Sequence, residues 1–427
     1  MQFHPFARRL LALILTAAFM TTAALSGFAV YAMPIQAVYS QESIYLFDAD
    51  TGEALVEQNP DLPRCVASLT KMMTALLVLE SGTDLNASIT IPASLTPELQ
   101  SIRANRGHTI GLQVGETVRR IDMMYAMLLP SANDAASVLA VDTSGSLAAF
   151  AAQMNVRASQ LGCTATHFTC THGLYDGGNY STARDMAKIA LACYADPTYR
   201  QIADTMSYKL PATNVHPART VTTTNKLLQP GSGYYRSYAH GMKTGFTTLA
   251  GRCFVTFAQQ DGHTYGLVVL GSDMNNIYRE CAEILDWAFS SFSDRQLVDT
   301  ETVLTTIPLT KCRTEEAVEL YAAGGLSGYG HADDEVTFEF SVPESTSATV
   351  KEGAVLGTAT VYLDGYEMGT VDLVTHKEYV SDFRSDTKTT LLLMAALIGI
   401  LIVLGFLTMV AGGGSLNLRR RSRSRRR

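Results

Sequence analysis

Three short motifs that could together perform covalent chemistry occur in this chain of 427 residues. In chain order they are Ser68-Leu-Thr-Lys71, Ser131-Ala-Asn133 and Lys243-Thr244-Gly245. The first two patterns have little weight alone, since S-x-x-K recurs at residues 385–388 and S-x-N at residues 415–417. Lys-Thr-Gly occurs once, and the order and domain-scale spacing of all three motifs are much rarer than any single match. We therefore interpret them as one constellation.

The first two motifs suit a serine nucleophile. A helix is predicted to begin near Ser68, where free backbone N–H groups favour a developing negative charge. Lys71 lies one turn further on the same face, and it can act as a base if burial or a cation such as Lys243 lowers its pKa. Ser131 and Asn133 follow a helix-ending proline, in a loop where a hydroxyl can relay a proton and an amide can hold a substrate backbone.

The third motif precedes two β-rich runs. On an edge strand, the backbone of Lys243, Thr244 and Gly245 could pair with an extended peptide. Gly245 has no side chain, so it would let that peptide approach closely. The motif therefore predicts a substrate-binding edge.

The three motifs resemble those of the penicillin-binding serine D-Ala-D-Ala carboxypeptidases. The likeness covers about residues 43–289, and it extends more weakly over the following β-rich region, which looks like the family's C-terminal stalk domain. The family usually has glycine where this chain has Ala132. The segments that carry the resemblance are residues 67–74 (ASLTKMMT), 128–136 (LLPSANDAA), 172–174 (HGL), 181–186 (STARDM) and 243–247 (KTGFT).

The resemblance implies a role for each motif residue. Ser68 would be the acylated nucleophile and Lys71 its base. Ser131 would pass the proton to the leaving D-alanine, and Asn133 would bind the substrate amide.

The remaining implied roles concern substrate binding. Lys243 and Thr244 would hold the terminal carboxylate beside Gly245, and the N–H groups of Ser68 and Phe246 would form the oxyanion hole. Arg279 resembles a family arginine that assists carboxylate recognition, although it can equally be a solvated helix charge.

The implied reaction removes the terminal D-alanine from peptidoglycan stem pentapeptides through an acyl-enzyme that penicillin and other β-lactams block. It needs neither a metal nor a cofactor. One alternative is a related serine enzyme of the same fold, namely an endopeptidase, a transpeptidase or a β-lactamase. Another is a penicillin-binding sensor without catalytic activity, although the intact motifs and the lack of a long cytoplasmic effector segment argue against it.

Apolar periodicity predicts the elements that must position these residues. Helices are expected from about Ser68 to residue 80 and over residues 120–129, 150–161, 181–194 and 275–289. Another is expected after Asn133-Asp134, both good N-cap residues. Strands are expected from residue 43 and over residues 253–258 and 264–270, the last two joined by Asp261-Gly262. The predicted fold class is α/β (α+β), with helices around an antiparallel sheet in a catalytic domain of residues 38–292.

A small β domain is predicted over residues 296–378, because residues 336–342, 359–363 and 369–373 alternate with period two, the last two around the turn Asp364-Gly365. It would hold the catalytic domain away from a membrane. Residues 391–410 form an uncharged apolar run long enough for a transmembrane helix, and seven arginines follow in the tail, residues 411–427. A buried soluble helix is the alternative interpretation of this run.

The N-terminal residues 1–37 are predicted to be a signal peptide, with cleavage after Ala32 or Ala37, since Arg8-Arg9 precede an apolar run and small residues. The alternative is an uncleaved N-terminal anchor. Together the two ends predict a single-pass protein of the bacterial cell membrane, with its arginine tail inside and its catalytic domain on the extracytoplasmic side.

Composition and charge limit the partners. Between the basic ends, 40 acidic residues face 24 basic ones, giving a formal charge of −16, which argues against nucleic acid. The seven cysteines cannot all pair within one chain. The spacings of four residues resemble those of a metal site, namely Cys163, His167, Cys170 and His172. We favour the interpretation that this segment contains small buried apolar residues and a turn.

Overall fold

The computed structural model describes residues 42–174, 178–273, 276–310, 316–346, 349–380 and 383–412. The chain divides into two compact units, residues 1–293 and 294–427. The predicted signal peptide, Cys312 and the seven arginines of the tail lie outside the described residues.

A five-stranded antiparallel sheet forms the framework of the first unit. Its strand order is β2-β1-β9-β8-β7, which leaves β7, the strand that carries Lys-Thr-Gly, at an edge. The hairpin between β8 and β9 turns through Asp261 and Gly262, both with positive φ, as the Asp-Gly pair predicted. The strands are β1 (Ser43–Asp48), β2 (Ala54–Gln58), β7 (Ala239–Thr247), β8 (Gly251–Gln260) and β9 (His263–Ser272).

Helices pack on both faces of this sheet. Successive side chains of β8 point to opposite sides: Cys253, Val255 and Phe257 enter the core beneath the main helical layer, whereas Phe254 contacts Tyr278 on the other face. The helices are α1 (Thr70–Glu80), α2 (Thr96–Ala104), α3 (Arg120–Leu128), α4 (Asn133–Ser144), α5 (Leu147–Gln160), α6 (Ala183–Ala195), α7 (Pro197–Ala203) and α8 (Ile277–Ser291). The predicted fold class, with helices around an antiparallel sheet, is confirmed.

Some elements of the first unit carry no strong sequence pattern. Two short hairpins, β3 (Ser88–Thr90) with β4 (Thr117–Arg119) and β5 (Ser207–Leu210) with β6 (Arg219–Thr222), were not predicted. Each strand has only three or four residues, too few to establish an alternating pattern. The helices α2 and α7 were also not predicted.

The second unit is built from two antiparallel sheets. A five-stranded sheet has the order β11-β12-β16-β15-β14, and β10 pairs with β13 in a smaller one. Asp364 and Gly365 form the predicted turn between β15 and β16, both with positive φ. The strands are β10 (Phe292–Val298), β11 (Thr305–Pro308), β12 (Ala317–Ala322), β13 (Leu326–His331), β14 (Val336–Ser341), β15 (Val355–Leu363) and β16 (Tyr366–Val374).

A long helix, α9 (Phe383–Gly412), follows the second sheet. Within it, the 20 residues Thr390–Met409 are long and apolar enough to cross a membrane. Within the part of the chain that the structure describes, the large apolar side chains of this stretch are exposed. The C-terminal apolar helix predicted from the sequence is therefore present.

Packing between β1 and β9 gives the first testable prediction. Gly266 of β9 lies opposite Phe47 of β1, and a Cβ atom there would lie 2.1 Å from the Phe47 ring. We expect Gly266→Ala to lower the free energy of unfolding by about 1–3 kcal/mol, because overpacking moves the ring. Gly233→Ala is the matched control, since it meets no atom within 4 Å. Urea unfolding of both variants tests this; equal stabilities would contradict the described packing.

Candidate active site

Ser68 lies in a tight 3-10 turn, Ala67–Leu69, that leads into α1. Ala67 adopts a left-handed backbone (φ 48°), which costs a non-glycine residue about 1 kcal/mol or more. Neighbouring atoms hold it there. Thr70 Oγ1 donates to the Ala67 carbonyl at 2.8 Å, and Gly173 packs so closely that a Cβ atom would lie 1.9 Å from the same oxygen. The turn leaves Ser68 half-buried at the beginning of α1, as predicted.

Lys71 is completely buried one helical turn after Ser68. Its Nζ lies 2.9 Å from Ser68 Oγ, 2.6 Å from Asn133 Oδ1 and 2.9 Å from the carbonyl oxygen of His172. Burial lowers the pKa of Lys71 well below its usual value, and the charge of Lys243 lowers it further.

The three neighbours of the Lys71 amine have different hydrogen-bonding abilities. The amide oxygen of Asn133 and the carbonyl of His172 can only accept, whereas the hydroxyl of Ser68 can also donate. A neutral amine has two N–H donors and one lone pair. Its donors match Asn133 and His172, and its lone pair then faces the hydroxyl of Ser68. The geometry therefore allows the amine to accept the proton of Ser68.

Asn133 is the first residue of α4, and Ala132 occupies the N-cap position. The prediction that Asn133 or Asp134 caps this helix with its side chain is therefore wrong. The Asn133 amide oxygen bonds to Lys71, and Asp134 accepts instead from Thr109 and the backbone N–H of Leu112. The side chains of Asn133 and Asp134 bond to these distant partners and not to the N–H groups of their own helix. A cap is predicted only from neighbours along the chain, so such partners are not foreseen.

Ser131 precedes this helix in a left-handed conformation (φ 70°). Its Oγ atom is buried and has no hydrogen-bond partner among the described residues. The loop is fixed by its backbone, since Ala132 N–H donates to the carbonyl of Ala126 and Asn133 N–H to that of His108. Ala132 itself has an ordinary extended backbone and a fully buried methyl group, so this position does not require glycine.

The edge strand β7 brings the third motif next to Ser68. A Cβ atom on Gly245 would lie 3.1 Å from the Val66 carbonyl and 3.2 Å from the backbone nitrogen of Ser68. Lys243 is buried on this strand, and its Nζ donates to the Thr244 carbonyl at 2.8 Å. Burial lowers the pKa of Lys243 to about 7. The predicted edge position of Lys-Thr-Gly is thus observed.

Thr244 is half-buried and Phe246 is exposed, whereas Lys243 and Gly245 on the same strand are buried. The hydroxyl of Thr244 lies 2.5 Å from that of Thr224, a residue that the sequence analysis missed. Phe246 is 43% exposed, and the Arg252 guanidinium lies over its ring at 4.9 Å.

Arg279 is not brought into this cluster. Its guanidinium bonds to Asn276 at 2.8 Å and lies 4.0 Å from Glu283, both beside it at the start of α8. The side chain is about half exposed. These contacts fit a solvated helix charge, and the role in carboxylate recognition stays a prediction.

His172 is a second residue whose contribution was missed. Its carbonyl accepts from Lys71, while its ring contacts Glu98 at 2.8 Å through Nε2 and accepts from the Leu174 N–H through Nδ1. Glu98 also accepts from Ser137 at 3.0 Å. The His172-Gly173-Leu174 sequence is one of the segments that carry the family resemblance. The use of a backbone carbonyl, however, leaves no signal in the sequence.

The four residues with metal-like spacing have other contacts. Cys163 donates to the Asp185 carbonyl, the His167 ring lies against Tyr180, and Cys170 lies 3.8 Å from His172. In the part of the chain that the structure describes, no three His, Cys, Asp or Glu side chains are grouped to hold a metal ion.

Two family models match the chain. The family model of peptidase S11, D-alanyl-D-alanine carboxypeptidase, matches residues 31–274, which is more than half of the chain. The chain belongs to this family. The model for the C-terminal domain of penicillin-binding protein 5 matches residues 292–381. The resemblance found in the sequence motifs is confirmed.

Individual relatives agree with the family assignment. The D-alanyl-D-alanine carboxypeptidase of Streptomyces sp. (strain K15) is 33% identical over 258 residues, covering 58% of this chain and 86% of the relative. The carboxypeptidase DacF of Bacillus subtilis is 27% identical over 364 residues, covering 84% and 91%. A D-alanyl-D-alanine endopeptidase of Pseudomonas aeruginosa is 32% identical over 238 residues, covering 56% and 73%.

Solved structures agree as well. Penicillin-binding protein 5 from Haemophilus influenzae has a TM-score of 0.58 and 26% sequence identity, covering 82% of this chain and 99% of its own. The family thus includes enzymes named as carboxypeptidases and endopeptidases of D-alanyl-D-alanine peptides.

The electrostatics of Lys71 give a second prediction. A lysine amine accepts a proton only when neutral, so acylation of Ser68 by penicillin should fall as the pH decreases through the pKa of Lys71. Lys243→Met removes a positive charge that helps to lower this pKa. The midpoint of the fall should therefore move to higher pH in this variant.

Acylation rates with labelled penicillin between pH 5 and pH 10 measure this midpoint. Lys209→Met, at an exposed position on β5, is the control and should leave it unchanged. An unmoved midpoint in Lys243→Met would show that the two amines do not interact.

Proposed function

We propose that this protein is a serine D-alanyl-D-alanine carboxypeptidase that removes the terminal D-alanine from peptidoglycan stem pentapeptides. The observation that carries the proposal is the contact of 2.9 Å between Lys71 Nζ and Ser68 Oγ. The other two neighbours of that amine can only accept hydrogen bonds, so its lone pair is available to the serine. This is the geometry of an activated nucleophile.

In the proposed acylation step, Ser68 Oγ attacks the carbonyl carbon of the peptide bond between the two D-alanines. Its proton passes to Lys71, and the negative oxygen that forms is held by the N–H groups of Ser68 and Phe246. Proximity of Gly245 to the Ser68 nitrogen supports this pairing of donors. The carbon–nitrogen bond then breaks, leaving the peptide esterified to Ser68.

The leaving nitrogen needs the proton that Lys71 received. Ser131 is proposed to relay it, and its buried, unpartnered Oγ supports this role, since the hydroxyl remains available for a substrate. Departure of D-alanine admits water, which cleaves the ester and releases the shortened peptide. Free Ser68 is regenerated.

The substrate is proposed to lie along β7, the edge strand. Its terminal carboxylate would meet Lys243 and the hydroxyl of Thr244 at one end, while Asn133 holds a backbone amide. Asn133 Oδ1 already bonds to Lys71, so its amide nitrogen is the group left for a substrate carbonyl. Extended peptides commonly bind exposed strand edges in this way.

An endopeptidase acting on cross-linked peptides is the second candidate, because close relatives carry that name. A β-lactamase of class A needs a glutamate that activates the deacylating water. No glutamate occurs between Glu116 and Glu280. Asp185, a shorter acid in this stretch, accepts instead from the Ala165 N–H and the Thr166 hydroxyl.

The cellular location is also a proposal. The apolar stretch Thr390–Met409 would cross the cell membrane once. Residues 419–427 contain seven arginines, which would keep the tail in the cytoplasm and the catalytic unit outside. Peptidoglycan peptides lie on that outer side, so the location agrees with the proposed substrate.

The third prediction tests the reaction. The protein should release a single D-alanine from a peptide ending in D-Ala-D-Ala, and penicillin should form a long-lived adduct at Ser68. Ser68→Ala should lose both activities, whereas Ser385→Ala, in the other S-x-x-K sequence, should retain them. A D-alanine assay and mass spectrometry of the labelled peptide measure this. Rapid catalytic hydrolysis of penicillin without D-alanine release would instead favour a β-lactamase.

The fourth prediction tests the anchor. Removing residues 389–427 should release a soluble protein that is still acylated by penicillin, because no motif residue lies in that segment. Fractionation of expressing cells into membrane and soluble parts, with penicillin labelling of each, measures the change. A truncated protein that remains in the membrane fraction would contradict a single C-terminal span.

A further inference from the structure

Two glutamates lie side by side inside the first unit, away from the catalytic serine. Glu42 directly precedes β1 and is 5% exposed, while Glu280 lies in the first turn of α8 and is fully buried. Ser272, at the end of β9, donates to Glu280 Oε2 at 2.6 Å. Neither carboxyl group has an ion-pair partner within the described residues.

Among the described residues, each glutamate has one oxygen without a donor, Oε2 of Glu42 and Oε1 of Glu280. The two side chains are within hydrogen-bonding contact of each other. Ionised carboxylates can only accept, so two of them cannot satisfy one another in a buried site. One proton between them makes one group a donor and satisfies both oxygens. Consistently, burial and then the charge of Glu280 raise the pKa of Glu42 to about 8.

The charged and titratable groups around the pair do not remove the need for this proton. Asp273, which follows β9, adds negative charge to both glutamates. Arg279 lowers the pKa of Glu280, but its side chain is about half exposed, so water screens its charge. The buried thiol of Cys281 has its pKa raised by burial and by both glutamates, and it therefore stays neutral.

The same helical turn reaches the substrate-binding edge. Tyr278, two residues before Glu280, donates from its hydroxyl to the Thr224 carbonyl at 2.7 Å. Thr224 in turn contacts the hydroxyl of Thr244 at 2.5 Å. The position of the first turn of α8 on the sheet therefore determines where Tyr278 holds Thr224, and through it Thr244.

We propose that Glu42 and Glu280, sharing one proton, are positioning residues that fix the first turn of α8 and thereby the Thr224–Thr244 side of the active site. The pair acts through Tyr278 and does not contact the substrate. This inference rests on the proposed function only in assigning the substrate carboxylate to Thr244. Loss of the proton leaves two adjacent buried negative charges, which push α8 away from β1 and β9.

The pH dependence has a definite sign. The folded protein holds the proton of Glu42 more tightly than the unfolded chain, whose glutamate titrates near 4.5. The stabilisation is therefore complete below about pH 4.5 and is lost as the pH rises to about 8. Glutamine at position 42 can donate permanently to Glu280, so Glu42→Gln mimics the shared-proton state at every pH.

The experiment compares full-length wild type, Glu42→Gln, Glu280→Gln and the control Glu53→Gln in detergent, from pH 6 to pH 9.5. Glu53 lies at the other end of the β1–β2 hairpin. Urea unfolding gives stability, and D-alanine release gives KM and kcat separately. Above pH 8, we expect KM to rise in wild type and in Glu53→Gln. This rise should be at least fivefold larger than in Glu42→Gln or Glu280→Gln, and kcat should change equally in all four proteins.

Parallel pH profiles for stability and KM in all four proteins would overturn the proposal. A flattened stability profile with an unchanged KM profile would overturn its positioning part, leaving a purely structural pair. If no D-alanine is released, the proposed function fails on its own. Urea unfolding and the rate of penicillin acylation then still report on the pair, because neither measurement requires peptide hydrolysis.

Discussion

The candidate active site depends on one constraint, the burial of the Lys71 amine. A charged ammonium in a dry interior is costly, and within the part of the chain that the structure describes its hydrogen-bond partners are neutral, namely the Ser68 hydroxyl, the Asn133 amide and the His172 carbonyl. The neutral form of the amine is thereby favoured, and this is the form that can act as a base. Helix α1 supplies the lysine, α4 the amide and the 172–174 segment the carbonyl, so three separate parts of the first unit meet at one nitrogen.

A second buried cation strengthens this arrangement. Lys243 lies close enough to lower the pKa of Lys71, and burial also brings its own pKa to about 7. The amines of both lysines bond to neutral groups, although the body of the chain has a formal charge of −16. An anion bound beside Lys243 would favour the charged form of its amine. The terminal carboxylate of the proposed substrate would be such an anion.

The sequence predicted those parts of the site that lie close together along the chain or on one strand. Ser68 and Lys71 share a helical face three residues apart, and Lys243 to Phe246 share a strand, so local periodicity places them. The contacts of Lys71 with Asn133 and His172 join residues 62 and 101 positions apart, and one of them uses a backbone carbonyl. No local pattern encodes such a contact. The contact between Thr224 and Thr244 likewise has no local pattern. The predicted capping role of Asn133 uses only its neighbours along the chain, so it does not foresee the contact with Lys71.

Backbone packing also fixes the positions of the two motif serines. Both serines of the motifs stand in or next to left-handed residues, Ala67 before the first and Ser131 itself. Such conformations persist only where the surroundings over-determine them. Gly173 packs against the Ala67 carbonyl, and Gly245 lies next to the Ser68 nitrogen, so two glycines contact the Ser68 turn. A side chain at Gly173 would displace the Ala67 carbonyl, which a Cβ atom would approach to 1.9 Å. Gly173 lies outside the three motifs, so the motif residues alone are not sufficient to specify the site.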